Sequence, residues 1–201
     1  MLPIRATIIP TLGSASNGPQ VSFDQRLCQW AVAAPARNDR AVQHAALLLT
    51  AARYRELPTL DLSGLSLRSI PDVFESLPWL EQLDLRSNYL RDLPASMGTL
   101  GKLIALDLSQ CCFREIPGAC NRMTALQTLS LADNQLDDQG LAEASFPALS
   151  HLDLRHNRIE VTDNLSALIA RCPADCVVEV EGNALTRNAF AQVLNGTYPR
   201  V

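Results

Sequence analysis

The chain has 201 residues, 47% of them apolar, and a formal charge of −4, with a mean hydropathy of +0.04; this is enough apolar material for a core and unlike a disordered chain. No run approaches the roughly 18 continuous apolar residues of a membrane span, and the first 25 residues hold one arginine and no long apolar run, so no Sec-type signal is readable. The negative balance argues against a general nucleic-acid binder, whose affinity needs a basic surface to release counterions.

Charge is unevenly spread: residues 1–56 balance to +3 and residues 57–201 to −7. Sixteen of the 17 basic residues are Arg, and Lys102 is the only Lys. A GC-rich coding bias explains this; so does freedom from ubiquitin-acceptor lysines. Residues 1–21 carry Pro3, Pro10, Gly13, Gly18 and Pro19 and no acid, so a disordered leader is expected there. In 22–56, Ser22 ahead of Phe23, Leu27, Trp30 and Val32 reads as a short helix ending near Pro35. Asn38 or Asp39 then starts a second helix through Ala41, Ala45, Leu48 and Ala52. Together they form a helical N-terminal cap.

From Leu57 the chain repeats itself: LPTLDLSGLSL, LEQLDLRSNYL, LIALDLSQCCF, LQTLSLADNQL and LSHLDLRHNRI, then the degenerate DCVVEVEGNAL. These begin at Leu57, Leu80, Leu103, Leu126, Leu149 and Asp175, a spacing of 23 residues four times and then 26. The pattern is the leucine-rich repeat, LxxLxLxxN/CxL. It implies an α/β solenoid, a horseshoe of about six repeats over 57–185, with a short C-terminal cap over 186–201 in which Arg187–Leu194 closes the coil. Each LxL core is a short strand whose leucines point inward. The ninth position, Asn88, Cys111, Asn134, Asn157 and Asn183, bonds to the turning backbone; Leu65 departs from it in the first repeat. Ile70–Pro71, Leu93–Pro94 and Ile116–Pro117 open convex returns, and Leu77, Leu100, Met123 and Phe146 fill the core behind the sheet. Gly140 replaces Pro in the fourth repeat, where a fuller helix through Leu141–Ala144 is expected; Asn164–Arg171 reads as a helix.

The six cysteines, Cys28, Cys111, Cys112, Cys120, Cys172 and Cys176, lack paired CxxC spacing for zinc. Free, mostly buried thiols in a reducing compartment are expected. No GxSxG elbow, Walker loop, HExxH or GxGxxG signature is present. A Cys172/His156 nucleophile pair can be drawn, but Cys172 belongs to the far side of the coil. No catalytic residue, metal site or cofactor is expected.

The residues between the strand leucines are Asp61, Asp84, Asp107, Ser130, Asp153 and Glu179, which stack into an acidic ladder on the concave face. Scaffold wording and recognition both account for it. Departures from bland repeat wording, Arg86, Tyr89 and Arg91 in the second repeat and His151, Arg155, His156 and Arg158 in the fifth, with Arg68 and Arg114 flanking at positions equivalent to Arg91, are the candidate contacts, because Tyr and Arg are favoured at interface hot spots. The predicted partner-binding set is therefore Asp84, Arg86, Tyr89, Arg91, Asp107, Arg114, His151, Asp153, Arg155, His156 and Arg158.

An acid-free Ser/Pro/Gly-containing leader, a Trp-bearing Ala/Arg-rich cap from Gln29–Trp30 to Arg55, and the direct run into LDLSGLSLRSIP resemble the repeat portion of bacterial type III secreted effectors. IpaH-type effectors and the XopL- and HpaF-like effectors of plant pathogens are similar. The resemblance implies a monomeric, non-catalytic module secreted into the host cytoplasm, recognising a host protein and spanning no membrane. In IpaH-type effectors a separate helical domain carries ubiquitin-ligase activity through a Cys-x-Asp motif. Here Cys172–Pro173–Ala174–Asp175 has other spacing, so no catalytic residue is carried over; the 23-residue period is also longer than theirs. Two alternatives stand: the recognition part of a split or truncated ubiquitin ligase, and an adaptor that stays in the bacterial cytoplasm.

Overall fold

The computed structural model describes residues 21–34, 39–160 and 162–185. The leader and the expected closing segment at Arg187–Leu194 lie outside them. Six three-residue strands form one sheet: β1 Thr59–Asp61, β2 Gln82–Asp84, β3 Ala105–Asp107, β4 Thr128–Ser130, β5 His151–Asp153 and β6 Val177–Glu179. Their order in space is their order in sequence, and every pairing is parallel. The register joins Leu60, Leu83, Leu106, Leu129, Leu152 and Val178 in one row and Asp61, Asp84, Asp107, Ser130, Asp153 and Glu179 in the next. A parallel neighbour requires a crossover. Here that crossover is each coil's convex return, so the sheet lengthens by one strand per coil and forms a solenoid.

The hydrogen-bond ladder runs past the strands. Backbone N–H groups of Gly64, Ser87, Gln110, Asp133 and His156 donate to Arg86, Ser109, Ala132, Arg155 and Glu181 carbonyls at 2.8–3.0 Å. All five donors, and Gly182, have left-handed φ between 53° and 73°. The chain thus turns off the sheet at the eighth position of every coil by one device. Only the first and sixth coils use Gly there; Ser, Gln, Asp and His carry the conformation elsewhere, held by the ladder bond on the same residue.

One position later lies the asparagine row. Asn134 is buried; its Oδ1 accepts the Phe113 N–H at 3.0 Å, and its Nδ2 donates to the Leu108, Leu131 and Ala132 carbonyls at 2.8, 3.1 and 3.2 Å. Asn88 and Asn157 repeat this arrangement. Each Asn satisfies groups of its own coil and of the preceding one, which a bent backbone would otherwise bury unpaired. Cys111 stands in with a weaker bond, its Sγ reaching the Leu85 carbonyl at 3.4 Å.

Convex returns carry 3-10 turns: Phe74–Ser76, Ala95–Thr99, Cys120–Arg122 and Gln139–Leu141. Leu77, Leu100, Met123 and Phe146 are all buried behind the sheet. The fourth return differs from the fuller helix expected through Leu141–Ala144: it makes only the turn Gln139–Leu141. The cause is close packing. A Cβ on Gly140 would lie 2.3 Å from the Arg114 carbonyl oxygen, and the Gly140 carbonyl accepts the Ile116 N–H at 2.9 Å. The coil therefore presses its backbone against its neighbour's instead of winding a helix. The fifth return holds α3, Thr162–Ala170, which buries Leu165 and Leu168.

Two helices cover the first coil. Helix α1, Phe23–Ala33, begins with a capping box in which Ser22 and Gln25 exchange side-chain and backbone bonds. Helix α2, Asp39–Tyr54, buries Val42, Ala45, Leu49 and Ala52 in the same core as Leu60, Phe23 and Leu27. Polar bonds fix them: Arg26 pairs with Glu75, Trp30 Nε1 donates to Ser69 Oγ at 3.2 Å, and Arg53 donates to the Ser76 carbonyl at 3.0 Å. Through these helices the apolar edge of the first coil is covered, as a solenoid end requires.

Candidate functional site

The second residue of each LxL core faces the concave side, and there the sequence places carboxylates. Each does local work first. Asp61, Asp84, Asp107 and Asp153 accept the backbone N–H two residues on, from Ser63, Arg86, Ser109 and Arg155, at 2.8–3.0 Å. These are Asx turns, which help bend the chain off the sheet. The residue two on then completes the bond in one of two ways. Ser109 adds its hydroxyl to Asp107 at 2.6 Å, whereas Arg86 and Arg155 turn guanidinium groups onto Asp84 and Asp153 at 3.2 and 2.7 Å. The Asp-x-Ser/Arg wording of the repeats is this motif.

Electrostatically the floor divides in two. Across β1–β3, Asp61, Asp84 and Asp107 are consecutive, and Arg86 is the cation paired among them. Burial, reinforced by the charges of Asp107 and Asp61, raises the Asp84 carboxyl above its usual range despite the Arg86 N–H and guanidinium. Asp61 goes the other way, lowered by its bonds from Ser63. Ser130 and Ala132 leave the floor uncharged at the fourth coil. Beyond it, Arg155 bonds Asp153 through Nε and Nη2 and reaches Glu179 at 3.0 Å, with His151 Nε2 4.0 Å from Glu179.

The predicted contacts fall into three groups. Asp84, Arg86, Asp107, His151 and Arg155 lie along the concave floor. Asp153 is on that floor by register but only 6% exposed, with Arg155 bonded over it. Tyr89, Arg91, Arg114 and Arg158 follow the turn off the sheet and sit on a rim beside the floor, all exposed. His156 belongs to the left-handed turn row, and its ring lies against Gly182, where a Cβ would come within 2.3 Å of Nδ1.

Sequence reasoning missed the uncharged residues at the heart of the groove. A cavity of about 400 Å³ opens on the concave face between β1 and β4. Besides the carboxylates and floor leucines, Thr59, Gln82, Ala105, Thr128 and Ser130 line it. These are variable positions just ahead of or within the strands. The signal was the uncharged third repeat position of four consecutive coils, Thr59, Gln82, Ala105 and Thr128.

No catalytic arrangement of thiols appears among the described residues. All six cysteines are free. Burial pushes the Cys111 thiol up to about 11 and the Cys120 and Cys172 thiols up to about 12, the opposite of an activated nucleophile. Cys172 follows α3 on the convex side, where burial and the neighbouring Cys176 both raise its thiol. The described residues hold no cluster of three or more metal-ligating side chains and no helix long and apolar enough to cross a membrane.

One pH effect follows from Asp153. Burial raises its carboxyl pKa, but the Arg155 side-chain and backbone bonds outweigh burial and hold it below the usual range. A depressed carboxyl stabilises the fold above its unfolded pKa of about 3.9, and that contribution is lost as pH falls through the lower folded value. Asp153→Asn is expected to lower the thermal midpoint at pH 7, with the gap from wild type closing as pH falls below that window. A pH-independent gap would contradict the assignment.

The leucine rich repeat family model matches residues 80–136, from the start of the second coil to the strand exit of the fourth. No curated protein sequence matches the chain. Among solved structures, the chain is similar to a leucine-rich-repeat protein of Leptospira interrogans, with a TM-score of 0.56 and 27% identity, over 73% of this chain and 37% of that one. It is also similar in fold to the mouse RP105/MD-1 complex, with a TM-score of 0.53 and 24% identity, over 65% of this chain and 22% of that one. The chain therefore spans well under half the length of either. The six-stranded parallel sheet, the repeat-family match and these neighbours agree: residues 57–185 form a leucine-rich-repeat solenoid, the fold of a protein–protein interaction module.

Proposed function

We propose that the chain is a non-catalytic recognition module that grips a protein partner in the concave groove, and that it works as a type III secreted effector in the host cytoplasm. The observation that carries the recognition reading is the open groove of about 400 Å³ across four consecutive coils, where Asp61, Asp84 and Asp107 stand beside the uncharged Thr59, Gln82, Ala105, Thr128 and Ser130. Its rigid strands offer preformed, side-chain-specific contacts, so little ordering entropy opposes binding. The acid-free leader and the effector-like junction of helices and repeats support the host setting.

One experiment tests both parts. Ala105→Arg together with Thr128→Arg fills the groove floor and leaves every Asx turn intact. Wild type is expected to retain a protein from host-cell lysate, but none from bacterial lysate, that the double variant fails to retain at an unchanged unfolding midpoint. Equal retention by the variant contradicts the concave site. A partner drawn from the bacterial lysate alone contradicts the effector setting and leaves an adaptor that is not exported.

A further inference from the structure

The rim beside the groove carries a feature that the concave reading does not use. At the twelfth position of the first three coils stand Arg68, Arg91 and Arg114, all exposed, and none takes part in an ion pair among the described residues. The acids next to them in the chain, Asp92 and Glu115, make no pair with them either; Asp92 Oδ1 accepts the Leu93 N–H at 2.7 Å. Between the first two arginines lies Tyr89, 56% exposed, with the Arg68 guanidinium 5.9 Å from its ring centroid. An exposed aromatic flanked by unpaired guanidinium groups combines contact area with forked donors for carboxylates.

We propose that Arg68, Tyr89, Arg91 and Arg114 form a second contact surface that receives a short acidic segment of a protein partner. The inference rests on the recognition reading and adds the chemistry of a further contact. Charge and length select the occupant. Coils stack about 5 Å apart, so the three arginines span about 10 Å, three residues of extended chain. At the same position of the next two coils the charge reverses to Asp137 and Glu160, both exposed. A membrane surface or a nucleic-acid strand continuing along the rim would meet these acids and the net charge of −4, whereas a short acidic segment ends before them.

The test is a nuclear magnetic resonance titration of the full, 15N-labelled chain with a capped hexaglutamate peptide, using hexaglutamine as the neutral control. Saturating shifts are expected at Arg68, Tyr89, Arg91 and Arg114, weakening with added salt and absent with hexaglutamine. Arg91→Gln is expected to weaken the interaction about tenfold, as loss of a charge-assisted bond does, with no change in unfolding midpoint. Shifts confined to the concave floor, no shifts at millimolar peptide, or insensitivity to Arg91→Gln each overturn the proposal. So do phosphatidylserine vesicles that perturb the rim while the peptide does not. The groove experiment reads Ala105 and Thr128, so a silent rim with an active groove sinks this inference alone.

Discussion

Asn134→Ala is expected to lower the free energy of unfolding by about 3 kcal/mol, since it strands the buried Phe113 N–H and Leu108 carbonyl at once. The amide bonds the Phe113 N–H in the preceding coil, the Leu108 carbonyl there, and the Leu131 and Ala132 carbonyls of its own coil. Asn157 Nδ2 also donates to the Leu131 carbonyl and the Gln110 N–H to the Ala132 carbonyl, so the Phe113 N–H and the Leu108 carbonyl are the groups left without a partner. Asn134 sits in the fourth of six coils, so the break falls in mid-solenoid, where each coil depends on both neighbours. Asn134→Cys supplies the internal comparison. Cys111 occupies the same position one coil earlier, with its sulfur on the Leu85 carbonyl and toward the Leu90 N–H. The Cys variant is expected to lose roughly half as much, because one weak partner replaces part of the network. Urea unfolding reads both, and equal losses for Ala and Cys would show that the bonds are not what matters there.

Phe113→Ala is expected to cost about 3–5 kcal/mol, the range for emptying a buried aromatic site. Phe113 is wholly buried and is the largest residue at its repeat position, where Leu67, Leu90, Leu136 and Ile159 stand in other coils. Both its backbone polar groups are engaged by the next coil, the N–H donating to Asn134 Oδ1 and the carbonyl accepting from the Gln135 N–H at 2.8 Å. The coil therefore cannot close over a void without breaking those bonds. Phe113→Leu restores the common residue and is expected to cost less than about 1.5 kcal/mol. The measurement is again a urea midpoint at constant slope. A small loss for Phe113→Ala would mean that the core relaxes far more than close packing allows.

The fold was legible because its determinants are residue types at fixed spacing. Leucines at the first, fourth and sixth positions and Asn or Cys at the ninth can be read without coordinates, and the sheet register follows from them. The eighth position was not legible: Gly, Ser, Gln, Asp and His share one left-handed conformation there, imposed by the ladder bond and not by the side chain. Gly140 misled for a related reason. Replacing Pro suggests a freer return, but the residue is small because the Arg114 backbone is so near.

The candidate site was half visible. The aspartate row stands in the sequence as a ladder of charge, yet its first use is internal, capping the turn two residues on. Asp153 shows the consequence: the Arg155 that marks the fifth coil as unusual also covers the acid beneath it. Tyr89, Arg91 and Arg114 follow the left-handed turn at Ser87 and Gln110, and repeat position alone does not say how sharply the chain turns there. The uncharged part of the groove, Ala105, Gln82 and Thr128, was hidden because such residues carry no charge or nucleophile to single them out.

The central claim is that the partner lies in the concave groove. A photo-crosslinking amino acid placed at Gln82 on the groove, and separately at Glu143 on the exposed convex return, tests it directly in host-cell lysate. The account predicts a crosslinked partner from the Gln82 position and none from Glu143. A partner trapped only at Glu143 would contradict it and move recognition to the convex side.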